Sequence, residues 1–530
     1  MRRALLAAFG GVAIGLGGAP TELSLVTMLA PAAFLLAVEP SPGAAVSLRA
    51  SLWLGLLTGG VANLYSMYWV VELLMEFGRF PLVAALPTGA LLWVGQSLGW
   101  VTAGGVTVTL IRRGLPGWIV LPLALVVAHT LAPAIFPWRY GLSQLGFLPY
   151  AQVAELGGLP LLDGLVAFVG CGIVTGLRTS RRAPLVVAAI ALAGPPSYGA
   201  LRMHQVAHQR ETAPAIAAGI VQPNVGIHDK HDPRQHVDHL RQLRAMTAAL
   251  EADGASLVVW PESSYPFPVH RGARRERGGP LGLLSDGVRG PLIVGVLTTD
   301  GAPFTAAASD AEGRLAGTFT LGTGDRYNSA IAVARGGEVT GIADKVRLLA
   351  FGEYTPLWDV VPWLQVFPRG LTPGEGAQIV EVAGARVGVL NCYEDLLADH
   401  VREQAQAAPD FWANVTNNAW FGDTTAPHLH HMNARLRAIE TRRDLVRAVN
   451  TGVSGHTAAT GEDLARTDSF VQASFVADVR ILEGATPWVS IGDWVTPFCG
   501  AWLLSLIWLS FRRGQRQRTR GSTSASSRTR

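Results

Sequence analysis

Three residues of the types needed for covalent acyl transfer stand far apart in the sequence. Glu262 ends a Trp-Pro-Glu motif, Lys345 follows it, and Cys392 lies in an Asn-Cys-Tyr-Glu motif. A cysteine thiol is a weak nucleophile at neutral pH because its pKa is about 8.5, so it needs a base and a nearby positive charge. Glu262 can supply the base, and Lys345 can supply the charge and stabilise an oxyanion. The expected product is an acyl thioester on Cys392.

Lysine is rare in this chain, which makes Lys345 informative. Only two of the 43 Lys and Arg residues are lysines, at 230 and 345. Arginine is a wide planar fork whereas lysine is a compact point charge with three donors, so a retained lysine indicates a need for the ammonium. Lys345 lies between the acid and the cysteine of the candidate site. The sequence around Lys230 indicates no role.

Two of the three candidate residues follow predicted strands. An apolar run at 257–260 leads into Glu262, and another at 387–390 leads toward Cys392. Catalytic groups collect at strand ends in α/β folds, because the strand fixes the backbone while the side chain faces a crevice. We therefore expect the acid and the cysteine to be placed by two strands of a buried sheet.

The region from 214 to 480 is typical of an α/β domain, because short β-rich runs alternate with helical patterns. Helices are predicted at 235–252 and 427–448. Strands are predicted at 215–221, 256–260, 292–297, 328–334, 386–391 and 411–415.

The residues before 202 predict a membrane domain. Crossing a bilayer takes about 20 apolar residues in a helix, and seven stretches before 202 and one after 494 approach that length. They lie at 4–20, 22–38, 50–73, 81–111, 117–136, 158–177, 183–201 and 495–511. The chain is therefore predicted to have an α-helical membrane domain at 1–201, a water-facing domain at 202–494 and an eighth transmembrane helix at 495–511.

The arginines predict the orientation of these spans, because short cytoplasmic loops are enriched in Lys and Arg. With the N-terminus inside, the outer loops carry only Arg79 and Arg139. The inner segments carry Arg2, Arg3, Arg49, Arg112, Arg113, Arg178, Arg181 and Arg182. The domain at 202–494 is thus expected on the periplasmic side of a bacterial inner membrane. The basic segment 512–530 is predicted to be a disordered cytoplasmic tail that binds no nucleic acid.

The motifs around the three residues resemble those of the apolipoprotein N-acyltransferases, a membrane branch of the nitrilase superfamily. In chain order they are Trp-Pro-Glu at 260–262, Lys345, Phe-Gly-Glu-Tyr-Thr-Pro at 351–356, Cys-Tyr-Glu at 392–394 and Asn-Asn-Ala-Trp-Phe-Gly at 417–422. The spans around an inserted domain are similar too, so the resemblance extends over nearly the whole chain.

The resemblance implies an αββα-sandwich catalytic domain and a ping-pong reaction. A fatty acyl chain would pass from a phospholipid to Cys392, and then to the α-amino group of the N-terminal S-diacylglyceryl-cysteine of a lipoprotein. Glu262 would be the base and Lys345 the oxyanion stabiliser. No cofactor, nucleotide or metal is expected, since neither lysine lies in a Gly-rich phosphate loop.

The resemblance also assigns supporting residues. Glu353 would orient the catalytic lysine, and Tyr393 and Glu394 would support the nucleophile. The chain departs from the family pattern at three places, with alanine before Phe-Gly-Glu, asparagine before the cysteine and histidine where tryptophan is common. These residues are Ala350, Asn391 and His231.

Aromatic and amide side chains are candidates for the substrate pocket. The segment 357–367 carries three large aromatics in a polar domain, which indicates either a buried loop or a flap on the bilayer surface that admits acyl chains. The loop at 417–422 could line the pocket or pack under the cysteine. The candidates are Trp358, Trp363, Phe367, Asn417, Trp420 and Phe421.

Histidines near 228–239 repeat at helical intervals, but the Asp and Arg among them favour a solvated helix start over a metal cluster. His430 and its histidine neighbours at 428 and 431 are interpreted as structural or pocket-lining.

Three functions remain open at this point. The first is phospholipid to apolipoprotein N-acyl transfer. The second is hydrolysis by a membrane-bound nitrilase-type amidase, or acyl transfer to a different amine. The third is a scaffold or transporter with a vestigial site, which the intact Glu262, Lys345 and Cys392 disfavour.

Overall fold

The computed structural model describes residues 1–355 and 370–526, with side chains as far as 512. It divides into two compact units. The first consists of Met1–Leu201 and Ile491–Arg530, and the second of Arg202–Ser490.

The first unit is built from α-helices. In chain order they begin with α1 (Arg2–Gly17), α2 (Ser24–Thr27), α3 (Leu29–Val38), α4 (Leu48–Met67), α5 (Trp69–Glu76), α6 (Leu82–Gln96), α7 (Leu98–Ile111), α8 (Gly117–Leu131), α9 (Leu148–Ala151), α10 (Ala154–Thr179) and α11 (Arg182–Thr212).

The second unit combines strands and helices. Its strands are β1 (Ala215–Gln222), β2 (Leu257–Val259), β3 (Tyr265–His270), β4 (Leu292–Thr299), β5 (Pro303–Ser309), β6 (Leu315–Gly322), β7 (Arg326–Val333), β8 (Val339–Asp344), β9 (Ile379–Val382), β10 (Ala385–Asn391), β11 (Phe411–Thr416), β12 (Leu445–Val449), β13 (Gly455–Thr457), β14 (Asp463–Arg466) and β15 (Ala473–Arg480). Its helices are α12 (Ile227–Lys230), α13 (His236–Ala252), α14 (Ala398–Ala405), α15 (Ala426–Thr441) and α16 (Pro487–Ile491), after which α17 (Val495–Ser526) belongs to the first unit.

Several helices of the first unit are long and apolar enough to cross a membrane. Among the described residues these are α10, α11 and the part of α17 from Val495 to Arg512. The pairs α4/α5 and α6/α7 qualify only together and bend by 56° and 42° between their members. The structure therefore has three candidate spans, or five if each bent pair is one span. The expected total of about eight stays a prediction. The helix α17 continues to Ser526, where the sequence predicted disorder from residue 512.

Two sheets form the centre of the second unit. The first has the strand order β15-β1-β2-β4-β7-β8, with β3 also paired to β4, and the second has the order β14-β13-β12-β11-β10-β9. The strands β1, β2 and β4 are parallel neighbours, and so are β10, β11 and β12. The polypeptide leaves β2 just before Glu262 and leaves β10 just before Cys392.

The two sheets enclose the apolar core of this unit. Val259 and Ile293 of the first sheet pack with Val389 and Ala413 of the second, and all four are buried. The helix α13 covers the outer face of the first sheet, and α14 and α15 cover that of the second. The layers are therefore helix, sheet, sheet and helix, as the resemblance implied. Strands covered on both faces are apolar throughout, which explains why they were recognisable in the sequence.

The predicted helix at 427–448 is wrong in its last third. The helix α15 ends at Thr441, and β12 follows. Arg442 has a left-handed backbone conformation (φ 51°), which ends the helix,. Every residue of β12 is buried, and the strand pairs with both β11 and β13. Tertiary packing thus overrides the local helical pattern. The six predicted strands correspond to β1, β2, β4, β7, β10 and β11.

Candidate active site

Cys392 lies in a strained turn directly after β10. Its φ of 52° is in the left-handed region, which costs a non-glycine residue about 1–3 kcal/mol and is typical of functional sites. Cys392 begins a short 3-10 helix, Cys392–Leu396. Cys392 is 8% exposed, and the negative charge of Glu262 acts on its thiol. The predicted nucleophile and base therefore lie in one buried cluster.

The Glu262 carboxylate is held by further donors. Its Oε1 accepts hydrogen bonds from Asn328 Nδ2 at 2.7 Å and from Lys345 Nζ at 3.3 Å. Its Oε2 accepts one from the backbone N–H of Asn417 at 3.0 Å. These contacts leave the carboxylate little rotational freedom, so its orientation is fixed before any substrate binds.

Lys345 follows β8 and lies between two carboxylates. Its Nζ donates to Glu353 Oε1 at 2.9 Å as well as to Glu262 Oε1 at 3.3 Å. The side chain of Asn328 bridges the same two carboxylates, since its Nδ2 also donates to Glu353 Oε1 at 2.9 Å. Lys345 is only 2% exposed. The structure thus brings together the three residues that the sequence singled out and adds an amide to them.

Burial and mutual attraction set the charges of this cluster. Burial raises the pKa of Glu262, but the Lys345 ammonium and the Asn328 amide outweigh it, and the net pKa is below the ordinary value. Burial lowers the pKa of Lys345, but Glu262 and Glu353 outweigh it, and the pKa lies well above the ordinary value. At neutral pH the base is therefore ionised and the lysine is protonated.

The nucleophile itself is a thiol in this resting state. Burial and then the negative charge of Glu262 raise the pKa of Cys392, and the Lys345 ammonium offsets only part of that increase. The sequence argument expected a positive charge to help form the thiolate. In the structure the lysine mainly balances the two carboxylates, and the cysteine is protonated at neutral pH.

Glu394 connects the segment after Lys345 to the segment before Cys392. Its Oε1 accepts the backbone N–H groups of 346 and 347 at 2.7 and 2.9 Å. Its Oε2 accepts the N–H of Asn391 at 2.8 Å. Hydrogen bonds to a charged acceptor are about twice as strong as neutral ones. This buried carboxylate is thus placed to set the separation between lysine and cysteine.

A buried polar network supports the 3-10 helix that begins at Cys392. Asp395 on this helix contacts His430 Nε2 at 2.7 Å and also binds Arg447. The Nδ1 of His430 lies 3.1 Å from Asn418 Oδ1. The network joins the nucleophile's helix to the loop whose backbone binds the base. His430 is therefore structural.

The predicted pocket residues have different positions. The backbone N–H of Asn417 donates a hydrogen bond to Glu262. The side-chain Oδ1 of Asn417 accepts hydrogen bonds from the N–H of Ala419 and from Nδ2 of Asn450. Trp420 is 38% exposed and packs edge-on against His231, with ring centroids 6.1 Å apart. Phe421 is partly buried. The other three, Trp358, Trp363 and Phe367, lie outside the described residues.

Tyr393 and the departures from the family pattern surround the nucleophile and its lysine. Tyr393 is partly buried, and burial raises the pKa of its hydroxyl. Asn391 is buried and is the N-cap residue of the 3-10 helix Cys392–Leu396. Ala350 lies in a turn that bridges to Tyr354. None of these residues interrupts the contacts within the catalytic cluster.

The sequence interpretation missed two residues of the site. Asn328 binds both carboxylates, and its only signal was a polar residue at the start of an apolar strand. Lys230 donates from Nζ to the backbone oxygen of Glu262 at 2.9 Å, so both lysines of the chain lie at the site. The sequence around Lys230 contains no motif and therefore gave no indication of this position. The rarity of lysine in the chain was a signal for both Lys230 and Lys345.

The second unit has recognisable relatives. Residues 217–480 match the carbon-nitrogen hydrolase family, and residues 10–172 match the apolipoprotein N-acyltransferase N-terminal domain. A Saccharomyces cerevisiae member of branch 10 of the nitrilase superfamily is a structural neighbour at a TM-score of 0.36 and 15% identity, over 50% of this chain and 90% of that one. The family match defines the second unit as a carbon-nitrogen hydrolase domain.

Full-length relatives narrow the class further. A protein of Gloeobacter violaceus is 30% identical over 95% of this chain and 93% of its own length, and one of Geobacter metallireducens is 28% identical over 96% and 95%. Both are named apolipoprotein N-acyltransferase. The chain belongs to the apolipoprotein N-acyltransferase family.

Proposed function

We propose that this protein is a ping-pong N-acyltransferase that modifies lipoproteins. It takes a fatty acyl chain from a phospholipid and transfers it to the α-amino group of the N-terminal S-diacylglyceryl-cysteine of a lipoprotein. The observation that supports this most strongly is the buried cluster of Glu262, Lys345 and Cys392. The cluster occurs in a chain whose full-length relatives are named apolipoprotein N-acyltransferase.

In the first half-reaction, the sulfur of Cys392 attacks the ester carbonyl carbon of the phospholipid. The thiol proton moves to the Glu262 carboxylate, which is ionised in the resting state. The carbonyl electron pair moves onto oxygen to give a tetrahedral oxyanion. When the oxyanion collapses, the bond from carbon to the glycerol oxygen breaks, and Glu262 returns the proton to that oxygen. A lysophospholipid leaves and an acyl thioester remains.

In the second half-reaction, the neutral α-amino group of the acceptor attacks the thioester carbon. Glu262 accepts a proton from the attacking nitrogen. The carbon–sulfur bond then breaks, and the proton passes to the sulfur of Cys392. The products are an amide and the free thiol, so the enzyme returns to its starting state. An ester is exchanged for an amide, which is downhill and needs no nucleotide.

Lys345 stabilises the oxyanion in both half-reactions. Its ammonium is fixed between Glu353 and Glu262 before the reaction begins, so little reorganisation is needed when charge develops. As Glu262 takes up a proton, it loses its negative charge, and more of the lysine's field becomes available to the oxyanion. Glu353 keeps Lys345 protonated and in place throughout.

The membrane setting is part of the proposal. The apolar helices α10, α11 and α17 support a multi-pass protein of the bacterial inner membrane. The excess of arginine in the predicted inner loops supports a periplasmic catalytic unit. This orientation can be tested with Ser309→Cys, because Ser309 is exposed and the native cysteines are buried. A membrane-impermeant maleimide should label this variant, and not the unsubstituted protein, in spheroplasts.

The function is tested by incubating the purified protein with phosphatidylethanolamine and a synthetic diacylglyceryl lipopeptide. The expected product is N-acylated lipopeptide, and Cys392→Ala should form none. Release of free fatty acid without N-acyl lipopeptide would instead assign the competing function, that of a membrane-bound nitrilase-type hydrolase. Acylation of simple amines but not of the lipopeptide would assign a different acceptor.

A further inference from the structure

A cavity of about 320 Å³ lies next to the catalytic cluster. It is lined by Lys230 and by Ser263 and Ser264, which directly follow Glu262. The volume is at the lower end of the roughly 300–1,000 Å³ typical of ligand pockets, and about ten times the ~30 Å³ that one water molecule occupies. Such a space suits a polar headgroup and is too small for a whole lipid with its acyl chains.

The lining of this cavity is basic. Lys230, Arg326 and the rings of His231, His236 and His239 contribute to it, and no Asp or Glu lines it in the described parts of the chain. In an ordinary polar surface both signs of charge are mixed. A concave wall of one sign attracts counter-ions and anionic ligands, because the field lines are focused there.

The lysine and arginine of the wall lack carboxylate partners. Lys230 donates to the backbone oxygen of Glu262 at 2.9 Å, and among the described residues no carboxylate lies within 4.0 Å of its Nζ. The guanidinium of Arg326 has neither a hydrogen bond nor an ion pair within 1–355 and 370–526. The buried hydroxyl oxygen of Ser264 also lacks a partner there. These spare donors converge on one cavity.

We propose that this cavity binds the phosphodiester of the phospholipid acyl donor, with Lys230 and Arg326 as its main contacts. The inference rests on the proposed function, since it assigns a place to one part of the proposed donor. A phosphodiester carries one negative charge shared by two non-bridging oxygens, and these can accept hydrogen bonds from a lysine ammonium and a guanidinium. The serine hydroxyl and the histidine rings supply further donors.

The position of Lys230 explains why this cavity serves the reaction. Lys230 contacts Glu262 on one side and the cavity on the other, and its charge acts on both Glu262 and Cys392. In a phospholipid only the glycerol unit separates the phosphate from the ester carbonyl. A phosphate held at Lys230 therefore keeps the scissile ester near the nucleophile.

The proposal is tested with two donors that carry the same acyl esters, dioleoylphosphatidylglycerol and dioleoylglycerol. The purified full-length protein should have a much higher kcat/KM with the phosphorylated donor. Arg326→Gln should reduce the ratio of the two kcat/KM values by about tenfold to a hundredfold, as expected for loss of a charge-assisted contact. Its rate with dioleoylglycerol should change little. Arg241→Gln is the matched control, because Arg241 is exposed on α13 and pairs with Asp238.

The outcomes distinguish a lipid phosphate from free phosphate, and failure of the cavity proposal from failure of the proposed function. Inorganic phosphate should compete with the phosphorylated donor, and Arg326→Gln should weaken that competition. If Arg326→Gln abolishes phosphate competition but leaves the donor ratio unchanged, the cavity binds free phosphate and the headgroup assignment is wrong. An unchanged ratio and unchanged competition also overturn it. Absence of N-acyl product from either donor would instead refute the proposed function.

Discussion

Glu394→Gln tests whether a buried carboxylate positions the catalytic lysine relative to the nucleophile. Glu394 does not contact Lys345 or Cys392 through its side chain. It binds three backbone N–H groups, at residues 346, 347 and 391. Glutamine has nearly the same shape but only one acceptor oxygen and no charge. The substitution thus weakens the connection without creating a cavity.

The size of the effect follows from these three bonds. If the amide oxygen takes the place of Oε1, the hydrogen bonds from the N–H groups of 346 and 347 remain, but their acceptor is neutral. The hydrogen bond from the N–H of Asn391 is lost, because the NH₂ group that replaces Oε2 is a donor and cannot accept it. A hydrogen bond to a charged group contributes about 1.5–3 kcal/mol and a neutral one about 0.5–1.5 kcal/mol. The connection therefore loses about 3.5–6 kcal/mol. Since 1.36 kcal/mol is a factor of ten in rate, we expect acylation to slow by at least about a hundredfold.

The assay is the single-turnover rate of Cys392 acylation by phosphatidylglycerol, followed by intact-protein mass spectrometry. A positioning role predicts a lower maximal rate with an almost unchanged donor concentration at half-saturation. Glu403→Gln is the matched control, because Glu403 is an exposed carboxylate 3.8 Å from Arg347 of the same segment. Thermal unfolding of both variants shows how much of any loss comes from unfolded protein.

Two results would refute this reasoning. A Glu394→Gln protein that acylates within threefold of the unsubstituted rate would show that the connection does not set the geometry of the site. An equal loss in Glu403→Gln would show that any charge change near this segment has the same effect. A higher half-saturating concentration at an unchanged maximal rate would assign Glu394 to donor binding.

Three further predictions follow from the same contacts. Lys345→Arg keeps the charge but forces a planar fork into a fully packed position, so acylation should fall at least about a hundredfold, and near-normal single-turnover rates would contradict the point-charge role. Asn328→Ala removes a donor from both Glu262 and Glu353, so kcat should fall about tenfold or more, whereas an unchanged kcat in steady-state assays would show that the amide is dispensable. Burial, partly opposed by Glu262 and Cys392, lowers the pKa of Lys230 to about 8. Because the lysine is charged below that pKa, the preference for phosphatidylglycerol over dioleoylglycerol should be present at about pH 6.5 and should decline as the pH rises through about 8. A ratio of kcat/KM values that does not change with pH would exclude Lys230 as the phosphate contact.

The sequence was sufficient for features that local pattern determines. Apolar runs identified the strands that lead to Glu262 and Cys392, because both faces of these strands are covered and their residues are apolar throughout,. Residue types and flanking motifs were enough to propose Glu262, Lys345 and Cys392 as one site, and the fold brings the three into one buried cluster. Local pattern failed at the end of the helix predicted at 427–448, where β12 begins at Leu445, because the pairing of β12 with β11 and β13 is a long-range effect.

The sequence was insufficient for contacts that depend on sheet topology. Asn328 reaches Glu262 because β7 pairs with β4, which in turn lies beside β2. Lys230 reaches the same residue from a short helix with no motif of its own. No spacing rule connects residues so far apart in the chain. Their roles became visible only when the fold placed their donors on one carboxylate.

The most direct test of the central claim is the mass of Cys392 after exposure of the purified protein to phosphatidylethanolamine without an acceptor. We expect one added acyl chain, located on the peptide that contains Cys392, released by hydroxylamine as a thioester and transferred to a diacylglyceryl lipopeptide when one is supplied. Glu262→Gln should prevent its formation, because the thiol then has no base. An unmodified Cys392 in protein that nevertheless produces N-acyl lipopeptide would contradict the covalent mechanism.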